Sequence, residues 1–186
     1  MKLGKSNYEF IPVGGKRNNI SIINIGTDPA SGVTERITNA IDAVIEKKWK
    51  TDPVKGNIES PREAIESWYG IKEGKISNIK NPNDKRIKNL SKDVVVTLFD
   101  SGKPKKPTIQ VRDNGLGLKS NEFSDTILSL NSNNKIDKKY VIGSFGQGGS
   151  TALSYNDLTI IISKPFSTNK KTQKCAWTIV RINHGD

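Results

Sequence analysis

The chain has 186 residues, enough for one domain with a core that needs no staple. A single cysteine, Cys175, excludes an internal disulfide and a cysteine-rich zinc site, and no apolar run approaches the length of a membrane span. Thirty basic against 19 acidic residues leave a formal charge of +11, a field that attracts nucleic acid, acidic surfaces or phosphate-rich ligands.

In chain order, Ile20 to Ile25 (ISIINI) reads as a short strand after Gly14-Gly15, and residues 33–48 read as an amphipathic helix. From Thr51 to Lys92 the pattern is irregular and polar, an insertion with one helix inside it. There Ser60 can cap, Pro61 suits the first helical position, and Glu63 completes a capping box before Ala64, Ile65 and Trp68. Trp49 and Trp68-Tyr69 either form a partner surface or pack the insertion on the core. Strands at Val94–Phe99 and Thr108–Arg112 flank a basic turn, Asp100 to Pro107, and predict a hairpin. A helix near Glu122–Leu130 leads into a stretch rich in Asn and Lys. A glycine-rich run, a helix from Ser150, and strands at Leu158–Ser163 and Ala176–Ile182 follow. Helices and strands mix without strict βαβ alternation, which predicts an α+β domain with a largely antiparallel sheet. The chain stops just after a strand, as an excised N-terminal domain would. With nothing resembling a signal peptide, cytoplasm is the default location.

Three motifs carry chemistry. On the helix VTERITNAIDAVIEKK, about 100° per residue puts Val33, Ile37, Ile41, Val44 and Ile45 on one face. Glu35, Asn39, Asp42 and Glu46 fall on the opposite one. Most polar helix faces are merely solvated. Asn is a poor mid-helix residue, however, and this face has no lysine before Lys47 in a lysine-rich chain. The second motif, Val111 to Leu118 (VRDNGLGL), sets a carboxylate, Asp113, at a strand end beside Gly115 and Gly117. A plain D-N-G turn is its ordinary reading. The third, Gly143 to Thr151 (GSFGQGGST), precedes a helical pattern and could cradle phosphate with backbone N–H groups, or be a linker. Its spacing is neither that of the P-loop nor that of the dinucleotide fingerprint.

In this order, ERITNAIDA, VRDNGLGL and VIGSFGQGGSTAL resemble the motifs of the GHKL ATPase superfamily. Its Bergerat fold is shared by type II topoisomerases, ninety-kilodalton heat-shock chaperones, MutL-type repair proteins and MORC-type ATPases. The third motif looks most like the chaperone and repair branches. The resemblance implies a two-layer sandwich with helices on one face of a mixed, largely antiparallel sheet. It also implies ATP and Mg²⁺ as cofactors. Glu35 would be the general base, Asn39 the Mg²⁺ ligand, and Asp42 a supporting residue of the pocket. Asp113 would accept the adenine amino hydrogen, with Gly115 and Gly117 letting the backbone pass close to the base. Gly143, Gly146, Gln147, Gly148, Gly149 and Ser150 would wrap the triphosphate as part of a lid, and Lys135 either reaches a phosphate or is solvated. Histidine kinases share the fold, but an acid at Glu35 and a lone His184 favour an ATPase. The later threonine of such ATPases has only Thr159 and Thr178 as weak candidates, and the transducer lysine has none. Turnover by this chain alone is therefore expected to be slow or absent.

The resulting expectation is a Mg²⁺-dependent ATPase domain. Lid closure and homodimerisation, with Met1 to Ile20 as an arm or an edge strand, would drive a DNA-processing, chaperone-like or defence machine. The alternative is a nucleotide-binding sensor or scaffold without hydrolysis. A third is a nucleic-acid-binding module in which the glycine-rich loop contacts backbone phosphates; the basic clusters Lys103, Lys105, Lys106 and Lys80, Lys85, Arg86, Lys88, Lys92 fit such a role or plain solubility.

Overall fold

The computed structural model describes residues 10–15, 28–52, 58–129, 138–143, 153, 155–167 and 174–181. The strand read at Ile20 to Ile25 lies outside them, as does most of the helix read from Ser150.

Helix α1, Pro29–Thr51, is longer than the apolar periodicity predicts, because Asp28 caps it by accepting from Ala30 N at 2.9 Å and Pro29 follows as its opening residue. Helix α2, Pro61–Tyr69, starts as read: Ser60 Oγ accepts from Glu63 N at 3.2 Å. The Glu63 carboxylate reaches back one residue further than expected, to Glu59 N at 2.7 Å. Gly70, at φ 65°, ends α2 in the left-handed conformation that glycine adopts without strain.

Two expectations need correction. The 51–92 stretch holds a second helix, α3, Lys85–Asp93, capped by Asp84. Its charged composition hid it, since only Ile87 and Leu90 supply an apolar spacing. The helix read near Glu122 is absent among the described residues: Ser120–Glu122 form a single 3-10 turn and residues 123–128 are turns. Polar side chains capture the backbone there, Thr126 Oγ1 donating to Glu122 O at 2.5 Å and Glu122 accepting from Lys119 N at 2.7 Å.

Strands β1, Val94–Phe99, and β2, Thr108–Asp113, pair antiparallel with Val94 opposite Asp113. Strands β3, Leu158–Ser163, and β4, Ala176–Arg181, do likewise with Ser163 opposite Ala176. The protein is thus α+β, and its described pairings are antiparallel.

The core gathers around the apolar face of α1. Val44 packs with Tyr69 and Ile71, against Ile79, Leu90 and Val94. Ile45 packs with Ile58 and Ala64, against Ile41, Trp49 and Tyr140. The aromatics of the 51–92 stretch therefore face the core. Trp49 meets Trp68 edge-on at 6.5 Å, and Trp68 Nε1 donates to Asp52 at 2.6 Å. Tyr69 donates its hydroxyl to Asp93 at 3.0 Å, and burial, with the Asp93 charge, raises its pKa. No helix among the described residues is long and apolar enough to cross a membrane.

Candidate functional site

Helix α1 presents its polar face in three steps. Glu35 and Asn39, both half-buried, stand one turn apart, and Asn39 Nδ2 donates to Glu35 Oε1 at 3.1 Å. This bond fixes the amide and turns one carboxylate oxygen toward it. Between them in sequence, Arg36 has its pKa lowered by burial, with the Glu35 charge opposing.

One turn on, Asp42 is only 2% exposed. Its carboxylate accepts from Ile142 N at 2.7 Å and from Gly143 N at 3.1 Å. A buried carboxylate persists only with such donors. Two further contacts lay the same segment along α1: Lys138 pairs with Glu46, and the Tyr140 ring stacks on Trp49 with centroids 4.6 Å apart. Burial, and then the Glu46 charge, raise the Tyr140 hydroxyl pKa.

The loop after β2 forms the second half. Asn114 closes the end of the hairpin, its N–H donating to Asp93 O and its Nδ2 to Lys92 O, both at 2.9 Å. Lys47 Nζ donates to Asn114 O at 2.7 Å, and Leu116 N donates to Ala43 O at 3.2 Å, so the loop rests on α1. Its far side is held by the end of β3, where Leu118 N donates to Ser163 Oγ at 2.7 Å and Phe166 N to Leu116 O at 2.5 Å.

Asp113, at the head of this loop, accepts from Gly115 N at 2.8 Å. Its carboxyl is raised above the usual aspartate range, first by desolvation, against the lowering effects of the Gly115 N–H and the Lys47 charge. More than a third of the residue is nonetheless open to solvent. A side chain at Gly115 would lie 2.5 Å from Ala43 Cβ, and one at Gly117, where φ is +61°, 2.2 Å from Lys164 O.

A family model described as histidine kinase-, DNA gyrase B- and HSP90-like ATPase matches residues 27–186. The chain belongs to that ATPase family. ATP is the ligand that membership implies. No curated protein matches the chain.

Within this ATPase domain, Glu35, Asn39 and Asp42 share the polar face of α1, while Asp113, Gly115 and Gly117 sit on a loop docked to the same helix. Gly143 lies against Asp42. Lys135, Gly146, Gln147, Gly148, Gly149 and Ser150 lie outside the described residues. A Cβ at Gly115 would meet Ala43 and one at Gly117 would meet Lys164–Pro165, so both glycines let the loop pack closely on its neighbours. Asp42 turns its oxygens to the backbone of residues 142–143 rather than serving only as pocket lining. Thr159 and Thr178 share one face of β3–β4 with Ser163, the residue that holds Leu118. Three site-building residues escaped sequence reading. Ala43 gives the loop its seat, Lys47 pins it, and Ser163 ties it to β3. Only Lys47, the first lysine on an acidic face, carried a signal.

Proposed function

We propose that the chain is a Mg²⁺-dependent module that binds and hydrolyses ATP, with Glu35 as general base and Asn39 as metal ligand. One observation carries this reading: α1 holds both the Glu35–Asn39 pair and, through Ala43 O, the loop that begins at Asp113. A single rigid element thus sets the distance between the group that would read the base and the groups that would act on the terminal phosphate.

The donor set suits the metal. Mg²⁺ prefers hard oxygens and few protein ligands, and the Asn39 amide, whose nitrogen donates to Glu35, carries a hard carbonyl oxygen of that kind. Bound there with the triphosphate, Mg²⁺ would neutralise charge on the phosphate oxygens. The chain's own residues do the rest. Glu35 takes a proton from a water whose oxygen attacks the γ-phosphorus, and the bond from that phosphorus to the bridging oxygen breaks to release ADP. Asp113 accepts from the adenine amino group, where guanine would offer a carbonyl and repel it. Backbone N–H groups of the Gly143–Gly149 sequence bind the phosphates, Ser150 and Gln147 add polar contacts, and Lys135 supplies charge. Closure of this segment as a lid, with homodimerisation in the full-length protein, would transmit binding to a larger machine.

The test is Glu35→Ala in the full-length protein. ATP affinity is expected within a few-fold of wild type and turnover at background. Retained turnover would remove Glu35 as the base. Tight ATP binding by the wild type without any turnover would instead support the sensor or scaffold alternative.

A further inference from the structure

Two bonds meet at opposite ends of one peptide unit beside Asp113. Gly115 N–H donates to Asp113 Oδ1 at 2.8 Å, and the carbonyl of the same peptide, Asn114 O, accepts from Lys47 Nζ at 2.7 Å. In a planar trans peptide these groups face opposite ways, so a cation on one side and a carboxylate on the other hold the unit between them. Each bond polarises the peptide in the sense that strengthens the other. The remaining bonds of Asn114 run from its N–H to Asp93 O and from its Nδ2 to Lys92 O. They anchor the residue but do not restrain the torsion that follows its Cα, and glycine at 115 leaves the next torsion loose as well. Lys47 itself is seated. It is half-buried on α1, its ammonium 5.1 Å from the centre of the Phe166 ring, and Phe166 N–H donates to Leu116 O of the same loop.

We infer that Lys47 is a positioning residue for adenine recognition: by holding the Asn114–Gly115 peptide it aims the carboxylate of Asp113. The inference rests on the proposed role of Asp113 and adds to it a residue that acts through the backbone. Charge follows the same geometry. Lys47 acts on Asp113 from α1 and lowers its pKa, against the larger effect of desolvation. The other charged groups of the surrounding elements are turned elsewhere. On α1, Glu46 pairs with Lys138. Where α3 meets β1, Asp93 accepts from the Tyr69 hydroxyl at 3.0 Å and Lys92 is exposed. Arg112, next to Asp113 on β2, projects from the opposite face of the hairpin. Lys164 meets the loop through its backbone, at Gly117.

Titration of the full chain with ATP and with GTP across pH is the test. For Lys47→Met, ATP affinity is expected to fall about tenfold while GTP affinity stays within about twofold, because only adenine needs the aimed carboxylate. The acid midpoint of ATP binding should also move to higher pH, since Asp113 loses the charge that favours its ionised form. Lys47→Arg, which keeps the charge and the donors, should retain most of the affinity and the wild-type midpoint. A merely structural lysine would weaken both nucleotides alike and leave the midpoint in place. Equal losses, an unshifted midpoint, or no loss at all would each overturn the inference. A wild-type chain that binds ATP and GTP equally, or binds neither, would instead overturn the role proposed for Asp113. Should Lys47→Met not fold, Lys47→Gln must show the same selective loss and the same shift, or the inference fails.

Discussion

Gly115 shows how narrowly single residues define this site. A methyl group there would sit 2.5 Å from Ala43 Cβ and 2.6 Å from the Ala43 carbonyl carbon, neither of which can yield without moving α1. Gly115→Ala is expected to cost about 1–3 kcal/mol of stability by chemical denaturation and to weaken ATP binding, because the Asp113 loop lifts from its seat. Unchanged ATP affinity in a folded variant would mean that the loop does not need that seat. Asp113 makes a separate, pH-dependent prediction. Its folded-state pKa is raised, so the stability it contributes is fully present below the unfolded-state pKa and is lost as pH rises through the raised value. The proposed recognition of the adenine amino group runs the other way, since only the deprotonated carboxylate accepts freely. ATP affinity should therefore decline on acidification earlier than an ordinary aspartate would titrate, and Asp113→Asn should remove that step from both the affinity and the stability profiles. The sequence pointed to Asp113, Glu35 and Asn39 through the order of the three motifs and their resemblance to the GHKL ATPases, since each motif alone has an ordinary reading. It could not reveal the seat at Ala43, because a small residue in a helix carries no mark of what rests on it.

At the scale of elements, α1 organises the molecule. Its apolar face builds the core and its polar face carries the proposed site, so damage to one should reach the other. Ile45 has no exposed surface, and truncation at such a position typically costs about 2–5 kcal/mol. Ile45→Ala is expected to lie in that range by denaturant titration. A cost below about 1 kcal/mol would show that the cavity collapses and that the core is less tightly packed around α1 than described. The hairpin β1–β2 was legible because alternating strand formers border a turn rich in Gly, Pro and Lys, and α2 because Ser60, Pro61 and Glu63 stand at capping positions. Helix α3 and the turns after Ser120 were not. The first has too few apolar residues to show a period, and the second has a helical period overridden by Glu122 and Thr126 bonding to nearby backbone.

Over the whole molecule the charge of +11 invites a nucleic-acid role, but several of the basic groups already have partners. Arg86 is committed to Asp84, whose pKa falls to about 2 mainly through that hydrogen bond, and to Gly70 O at 3.0 Å. Lys106 lies 3.6 Å from Asp157, and Lys47 and Lys138 serve the site and its pedestal. DNA affinity, where present, is therefore expected to be weak, to fall steeply with salt, and to be unchanged by Asp113→Asn. Tight binding at 0.2 M salt would contradict this. The central claim is narrower: Asp113, the Glu35–Asn39 pair and the start of the glycine-rich sequence surround one adenine nucleotide. The most direct measurement is a titration of the chain with ATP and with GTP, each with and without Mg²⁺. The account predicts saturable ATP binding strengthened by Mg²⁺ and GTP binding weaker by about tenfold or more. Equal affinity for the two, or no binding of either, would contradict it.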